Sequence, residues 1–298
     1  MKIAITGSHG FLGSALINEL KSKGHEVVTI VRTQKKDDDI VWDIKNQSID
    51  AIKLDTADID VIIHLAGEGI AEKKWTDAQK KEILDSRVLG TKLLVKTLGE
   101  IKNKPTLLIS GSAIGYYGNR GDEVLDESST PADEFLSDVC VAWESEALKA
   151  NKLGIKVALL RTGIVLDDEG GTLKRMILPF KLGAGGRIGN GDQMMSWITR
   201  HDWVRSVEFI LEKNLEGPIN AVAPCPVSNK QFTKALGGAV HRPTFLPTPL
   251  LPLRALYGSE LVESLLLASQ NVVPKALIEA GFDFEHEDID SALKSILE

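Results

Sequence analysis

The sequence has 298 residues, 43% of them hydrophobic and 26% charged, so it can bury the core of one large domain or of two unequal lobes. Its formal net charge of -7 argues against nucleic acid or an anionic membrane as the main partner, because both attract clustered lysine and arginine. Two cysteines without a CxxC pair argue against a disulfide framework and a structural zinc site, and no apolar run reaches membrane-spanning length. We therefore expect a cytoplasmic protein with a small-molecule partner and no metal; a homodimer stays open.

Short apolar runs alternate with helical patterns through the first two thirds of the sequence. Strands are predicted at KIAITG, at HEVVTIVR, at DVIIHLAG (60–67), at PTLLISGS (105–112) and at KVALLRTGIVL (156–166). Helices are predicted between them, at FLGSALINELKSKG, 75–99 and 135–147. This β-α-β order predicts an α/β protein with a doubly wound parallel sheet, because helical crossovers cover both faces of such a sheet.

The amino-acid composition changes after Leu166, where a glycine-rich stretch typical of loops begins. We place the boundary between two units there: 1–166 is the parallel-sheet domain and 167–298 is a smaller C-terminal lobe. Three elements are expected after the boundary: a strand at 217–224 that rejoins the sheet, and helices at 253–269 and 273–281.

A glycine triplet stands between the first strand and the first helix, in ITGSHGFLG (5–13). Gly7 permits a tight turn, Gly10 lets the backbone approach a diphosphate, and Gly13 lets the helix pack closely on the strand. In a β-α-β unit this pattern predicts dinucleotide binding at the positive end of the helix; glycines that merely form a turn are the alternative. The candidate contacts are Gly7, Ser8, His9, Gly10, Phe11, Leu12 and Gly13.

The end of the second strand predicts which dinucleotide binds. An acidic residue there accepts hydrogen bonds from a free ribose 2′-hydroxyl, whereas an arginine accommodates a 2′-phosphate. This sequence has Val31 and Arg32 at that place. It therefore favours NADP over NAD, with NADPH preferred over NADH; the alternative is that Arg32 is an ordinary surface charge.

Five short motifs together carry a resemblance to a known family. They are TGSHGFLG, HLAG (64–67), LGT (89–91), ISGSAIGYYG (109–118) and LLRTGIVL (159–166). With them the sequence resembles the extended short-chain dehydrogenase/reductases, also called NAD-dependent epimerase/dehydratases, over nearly the whole chain. It looks like an atypical epimerase-like subgroup that has LPFKLGAGGRIGNG and its own C-terminal segment. The resemblance implies a Rossmann fold and the chemistry of an oxidoreductase or an isomerase.

The resemblance also implies further cofactor contacts. Leu65, Ala66 and Gly67 would end a strand against the adenosine and the diphosphate. Arg87 stands where the family commonly has an asparagine and would add a phosphate contact, with Glu82 orienting it; the alternative is an ion pair on the helix surface. The other contacts implied are Asp43 near the adenine, Ser110, and Arg161 and Val165 towards the nicotinamide.

The catalytic pair that is common in the family is missing. Family members typically use Tyr-x-x-x-Lys, in which the lysine lowers the pKa of the tyrosine that transfers the proton. The helix FLSDVCVAWESEA (135–147) has Leu136 and Cys140 at these positions. Leucine has no proton to give, and a cysteine facing a helix interior is more typical of packing than of a nucleophile.

Ser112 and two tyrosines beyond it are the remaining catalytic candidates. The resemblance implies that Ser112 hydrogen-bonds the substrate oxygen. Tyr116 and Tyr117, in GYYG, are candidates for the acid, with Tyr116 preferred; without the lysine, the pKa of a tyrosine has less reason to fall. The alternative is that these rings only form a wall of the substrate cleft.

Candidate substrate contacts come from Glu68, directly after HLAG, and from GAGGRIGNGDQMMSWI (183–198), a loop that meets the substrate in the family. Within that loop Arg187 would bind a carboxylate or phosphate, and Gln193 and Trp197 are further candidates. Two functions remain open. One is an NADP-dependent oxidoreductase or epimerase with a non-standard active site that acts on a small molecule. The other is a catalytically degenerate protein that senses NADP(H).

Overall fold

The central sheet of the molecule has eight strands and is parallel except at one edge. The structure, a computed structural model, describes residues 1–298. Its strands are β1 (Lys2–Thr6), β2 (Glu26–Val31), β3 (Ile40–Asp43), β4 (Ser48–Ile49), β5 (Val61–His64), β6 (Leu107–Ala113), β7 (Val124–Leu125), β8 (Lys156–Thr162), β9 (Ile164–Leu166), β10 (Met194–Met195), β11 (Trp197–Thr199), β12 (Gly217–Ala221), β13 (Val227–Ser228) and β14 (Asn271–Val272). The order in the sheet is β12-β8-β6-β5-β1-β2-β3-β4. The predicted α/β class with a doubly wound parallel sheet is confirmed.

Helices cover both faces of this sheet and make up nearly half of the second half of the chain. The α-helices are α1 (Phe11–Ser22), α2 (Ala51–Thr56), α3 (Asp77–Glu100), α4 (Phe135–Leu148), α5 (Gly171–Lys181), α6 (Arg200–Lys213), α7 (Asn229–Ala239), α8 (Leu250–Tyr257), α9 (Ser259–Leu261), α10 (Lys275–Ala280) and α11 (Ile289–Leu297). Tighter 3-10 turns run at Ile114–Tyr117 and Lys149–Leu153, and a π-helical turn runs at Val262–Leu267. None of the helices has the length and apolarity needed to cross a membrane.

The two faces of the sheet each bury a separate apolar core. Successive side chains of a strand point to opposite faces, so Ile3 and Ile5 of β1 enter one core and Ala4 enters the other. The first core has 21 buried residues and receives α1 and α6; the second has 18 and receives α3 and α4. The apolar runs of the sequence are therefore continuous because both faces of the sheet are covered.

A third core holds the C-terminal part of the chain together. It contains 11 buried residues, mostly from α5, α7 and α11, packed around Trp197 and Phe232. Helix α11 was not among the predicted elements, although Asp288 caps it by accepting a hydrogen bond from the amide of Ser291. The single helix predicted at 253–269 is wrong: Gly258 adopts a φ of 90°, which ends α8 and starts a new turn.

The prediction of one strand over 156–166 is also wrong, because the chain leaves the sheet at Gly163. A Cβ on Gly163 would lie 2.6 Å from a methyl carbon of Val222 and 2.7 Å from the carbonyl oxygen of Ser196. Only glycine allows this close approach. Strand β8 stays in the main sheet, whereas β9 pairs with β11 outside it.

The second half of the chain contributes to both units. Helix α6 packs into the first core, and β12 lies parallel to β8 in the main sheet. The chain therefore crosses between the sheet and the third core several times after Leu166. A division into residues 1–166 and 167–298 stays a prediction.

Candidate cofactor-binding and active site

The loop between β1 and α1 is shaped so that only glycine fits at two positions. Gly7 has a φ of 72°, and a Cβ there would lie 2.9 Å from the carbonyl carbon of Leu65. A Cβ on Gly13 would lie 2.9 Å from the carbonyl carbon of Gly7. Gly10 precedes α1 without a side-chain cap, so the first backbone N–H groups of the helix are left for a ligand. The remaining predicted contacts of the loop surround it: Ser8, His9, Phe11 and Leu12.

The segment after β5 lies against this loop. The hydroxyl oxygen of Thr6 accepts hydrogen bonds from the amides of Leu65 at 3.1 Å and Ala66 at 3.2 Å. Ala66 is half-buried and Gly67 is exposed. The carboxyl ends of β1 and β5 therefore form one side of a crevice, which is where α/β sheets of this type bind their ligands.

His64, at the end of β5, connects this segment to α3, and no sequence pattern predicted its role. The Thr91 hydroxyl donates to the carbonyl oxygen of Arg87 at 2.7 Å, so it accepts from His64 Nε2 at 3.0 Å. His64 Nδ1 in turn accepts from the Thr6 hydroxyl at 2.7 Å. Burial lowers the pKa of His64 to about 4, and the ring is neutral.

The turn after β2 carries a group of cations that form no ion pair. Val31 is buried at the strand end, and Arg32, Lys35 and Lys36 are exposed beyond it. None of these three cations forms an ion pair, and Lys35 Nζ lies 3.3 Å from Nε2 of His9 in the glycine loop. The sequence pattern indicated Arg32; the two lysines were missed, although RTQKK (32–36) shows them as a basic run.

Arg87 lies inside the crevice. Its Nη1 donates to the carbonyl oxygens of Glu68 at 2.9 Å and Ile83 at 3.1 Å, and its guanidinium lies 5.2 Å over the ring of Trp143. Burial lowers the pKa of Arg87 from its ordinary value; the Glu68 carboxylate opposes this shift but forms no ion pair with Arg87. The prediction that Glu82 orients Arg87 is wrong, because Glu82 is exposed and forms no ion pair.

Glu68 lies at the rim of the same crevice. Its carboxylate accepts a hydrogen bond from Lys73 at 3.1 Å, and this contact lowers the pKa of Glu68. The amide of Glu68 donates to the hydroxyl oxygen of Ser86 at 3.0 Å. Glu68 is therefore a charged group that α3 holds in place beside Arg87.

Ser112 belongs to a buried polar network. Its hydroxyl donates to Glu144 at 2.6 Å, and Arg161 donates to both carboxylate oxygens of Glu144 at 2.8 Å. Arg161 is only 4% exposed. The structure does not favour the predicted contact between Arg161 and the nicotinamide, because all three nitrogens of its guanidinium donate to groups of the protein.

The two tyrosines of GYYG have different environments. Tyr117 is wholly buried; its hydroxyl donates to Asn220 Oδ1 at 2.7 Å and accepts from Arg161 at 2.9 Å. Burial raises the pKa of Tyr117 to about 12, so the structure does not favour Tyr117 as the catalytic acid. Tyr116 is half-buried, its ring lies 3.5 Å from the Arg161 guanidinium, and its hydroxyl forms no hydrogen bond.

The positions of the missing Tyr-Lys pair are apolar in three dimensions too. Cys140 is 4% exposed, and its thiol lies 3.6 Å from the carbonyl oxygen of Ala113. Burial raises the pKa of Cys140 to about 11, so it is a neutral thiol. Leu136 is half-buried and packs near Gly115. Neither Leu136 nor Cys140 therefore supplies a proton near neutral pH.

The predicted substrate loop contributes one available cation. Arg187 is exposed, and its guanidinium forms neither an ion pair nor a hydrogen bond. Gln193 is buried and holds the loop by donating to the carbonyl oxygens of Ile188 at 3.2 Å and Leu266 at 2.9 Å. The prediction for Trp197 is wrong, because it has no exposed surface and lies in the third core.

Three other predicted cofactor contacts lie in different surroundings. Asp43 closes a turn after β3 by accepting hydrogen bonds from the amides of Lys45 at 2.9 Å and Asn46 at 3.1 Å, and the contacts with Asn46 lower its pKa. Ser110 is wholly buried within β6, so the prediction that it contacts the cofactor is wrong. Val165 is half-buried on β9, beside the start of α5.

A glycine loop that opens a helix, at the carboxyl edge of a doubly wound parallel sheet, defines a Rossmann-type α/β protein. The chain belongs to the NAD dependent epimerase/dehydratase family, whose sequence model matches residues 3–222. A second family model, described as a domain of unknown function, matches residues 248–296. The predicted family and its separate C-terminal segment are thereby confirmed.

Relatives and solved structures match along the whole chain. An epimerase family protein of Mycobacterium bovis is 41% identical over 293 residues, which cover 98% of this chain and 96% of that protein. Epimerase family protein YfhF of Bacillus subtilis is 36% identical and is covered to 98%. The human epimerase family protein SDR39U1 (isoform 2), crystallised with NADPH, has a TM-score of 0.88 at 30% identity, covering 100% of this chain and 99% of that one.

Proposed function

We propose that this chain binds NADP(H) in the crevice formed by the glycine loop, residues 65–67 and α3. The observation that carries the proposal is the group formed by Arg32, Lys35 and Lys36, which forms no ion pair and contacts the glycine loop through His9. A free ribose hydroxyl needs no such charge, whereas a 2′-phosphate does. The human relative with NADPH supports the same cofactor.

The rest of the crevice fits a diphosphate and a ribose. The uncapped start of α1 presents backbone N–H groups, and a side chain on Gly13 would collide with Gly7 and move this helix end. Arg87 retains donors that no protein group accepts, in a position partly shielded from water. Charge-assisted hydrogen bonds are stronger in such surroundings, so Arg87 would hold a phosphate or ribose oxygen.

We further propose that the protein is an oxidoreductase or isomerase that acts on a small molecule in the cytoplasm. Bound nicotinamide would supply hydride chemistry. The Ser112 hydroxyl donates its proton to Glu144, so only its oxygen is left to contact a substrate. That oxygen would accept a hydrogen bond from an alcohol group of the substrate. Tyr116, with a free hydroxyl, and the unpaired Arg187 are the further polar groups proposed for the substrate side.

A second candidate function is an NADP(H)-binding protein without catalysis. The apolar positions Leu136 and Cys140 favour it, because a protein that only binds or senses the cofactor needs no proton donor there. The retained Ser112–Glu144 contact favours an enzyme. We place the enzyme first for that reason.

An absorbance assay separates the two functions. Purified protein is loaded with NADPH, or with NADP⁺, and fractions of a metabolite extract are added while the reduced nicotinamide is followed at its absorbance maximum. We expect turnover in a fraction, greatly reduced in Ser112→Ala and absent in Gly10→Asp, whose carboxylate would repel a diphosphate. Tight NADPH binding without turnover in either direction would favour the binding protein.

A further inference from the structure

Three consecutive aspartates follow the basic run, and only the last of them is buried. Asp37 and Asp38 are exposed, whereas Asp39 is 2% exposed. The carboxylate of Asp39 accepts hydrogen bonds from the amides of Lys35 at 2.8 Å and Lys36 at 2.7 Å, and from the Thr29 hydroxyl. One carboxylate therefore fixes the backbone of the turn that carries the cations.

A second side chain, that of Lys53, fixes the same turn through its carbonyl oxygens. Lys53, on α2, donates to the carbonyl oxygen of Asp39 at 2.6 Å and to that of Asp37. With these contacts the turn is tied to β2 through Thr29 and to α2 through Lys53. Lys35 is then the residue of the turn whose ammonium group reaches the glycine loop, 3.3 Å from His9.

We propose that Asp39 is a positioning residue that sets the preference for NADPH over NADH. It acts on the cofactor through the backbone of Lys35 and Lys36, and it holds their side chains and Arg32 where the 2′-phosphate of the proposed cofactor lies. The inference rests on the proposed function. The hydrogen bonds to Asp39 outweigh its burial and lower its pKa, so the carboxylate stays charged near neutral pH.

Simple electrostatics predicts that neutralising Asp39 strengthens NADPH binding, whereas the proposal predicts that it weakens it. Removing a negative charge close to a phosphate strengthens phosphate binding, because repulsion is removed. Asp37→Asn and Asp38→Asn should follow that rule, since their carboxylates are exposed and contribute only charge. Asp39→Asn should break it, because asparagine keeps only one acceptor oxygen and no charge, so it cannot accept from Thr29 and from both amides as the carboxylate does.

The test measures the dissociation constants of NADPH and NADH by calorimetry for the wild type, Asp39→Asn and the matched control Asp38→Asn. We expect Asp39→Asn to lose about tenfold in NADPH affinity and less than about twofold in NADH affinity. Asp38→Asn should bind NADPH as well as the wild type or slightly better. A variant that is merely destabilised would lose affinity for both cofactors in parallel.

Amide hydrogen exchange provides a readout that does not depend on the cofactor. The amides of Lys35 and Lys36 should exchange slowly in the free wild type and faster in Asp39→Asn. If that variant does not fold, Thr29→Val, which removes one donor to Asp39, should give the same changes to a smaller extent. If the wild-type protein does not prefer NADPH to NADH, the proposed function is overturned. If the wild-type protein prefers NADPH but Asp39→Asn or Thr29→Val binds both cofactors with unchanged affinity, this inference alone is overturned.

Discussion

His64 is wholly buried and neutral, and its hydrogen bonds join the glycine loop, β5 and α3. Burial holds its pKa near 4, below the value of 6.5 of a free imidazole, so the unfolded chain binds more protons between these pH values. The contribution of the neutral His64 ring to the unfolding free energy is fully present above pH 6.5 and is lost as the pH falls towards 4. The loss amounts to about 3 kcal/mol.

Denaturant unfolding at a series of pH values tests this expectation. The wild type should lose stability steeply between pH 6.5 and 4, and His64→Asn should show a much flatter dependence over the same interval. Parallel curves for the two proteins would show that His64 is not the buried neutral group described here. Carboxylates with lowered pKa, such as Asp126 with a pKa of about 2, respond mainly at lower pH.

Glu144 and Arg161 form a buried pair whose partners depend on each other. Glu144→Gln would leave the Arg161 charge without compensation, and we expect it to cost about 3–5 kcal/mol of unfolding free energy. The double variant Glu144→Gln with Arg161→Met should recover most of that loss, since no buried charge remains. Chemical denaturation of the wild type, the single variant and the double variant measures the loss and its recovery. A loss of unfolding free energy below about 1 kcal/mol in Glu144→Gln would contradict the described burial of the pair.

The first helix and the first strand pack as closely as they do because Gly13 has no side chain. We expect Gly13→Ala to be destabilised and to bind NADPH weakly, because the new Cβ would lie 2.9 Å from the carbonyl carbon of Gly7 and would move the start of α1. Gly99→Ala, within α3, is the matched control, because its Cβ would lie no closer than 3.6 Å to any neighbouring atom. Thermal unfolding should show Gly99→Ala slightly stabilised, because alanine favours a helix. Equal behaviour of both variants would refute the close packing.

Local patterns predicted the sheet well and predicted its interruptions poorly. Continuous apolar runs indicate strands covered on both faces, which is how β1, β5, β6 and β8 lie. The break at Gly163 depends on Val222 and Ser196, which are distant in sequence, so no local pattern shows it. Helix α11 is a different case, since Ile289, Ala292 and Leu293 show its buried face.

The same distinction applies to the site. The glycine loop was predictable because its chemistry is contained in nine consecutive residues, 5–13. Arg161, Tyr117 and Trp197 were assigned to ligands because the resemblance and their motifs placed them near the cofactor or the substrate. In the structure each is used inside the protein, by Glu144, Asn220 and the third core, and only the folded chain brings those partners together.

At the scale of the whole molecule, the distribution of charge matters more than its sum. The net charge of -7 would repel a dinucleotide phosphate, yet four cations that form no ion pair lie around one crevice: Arg32, Lys35, Lys36 and Arg87. Cations collected in a cleft create a local positive potential that attracts an anion. The fold therefore places a group of cations at the carboxyl edge of an acidic protein, where the proposed cofactor would bind.

The most direct test of the account is calorimetric titration of the wild-type protein with NADPH and with NADH. We expect NADPH to bind at least about tenfold more tightly, since a 2′-phosphate gains charge-assisted contacts that a hydroxyl cannot make. Arg32→Ala should lower NADPH affinity far more than NADH affinity. Lys152→Ala is the control: it removes the same charge just before the amino end of β8, away from the carboxyl ends of the strands, and should change neither affinity. Equal affinities for the two cofactors, or no binding of either, would contradict the central claim.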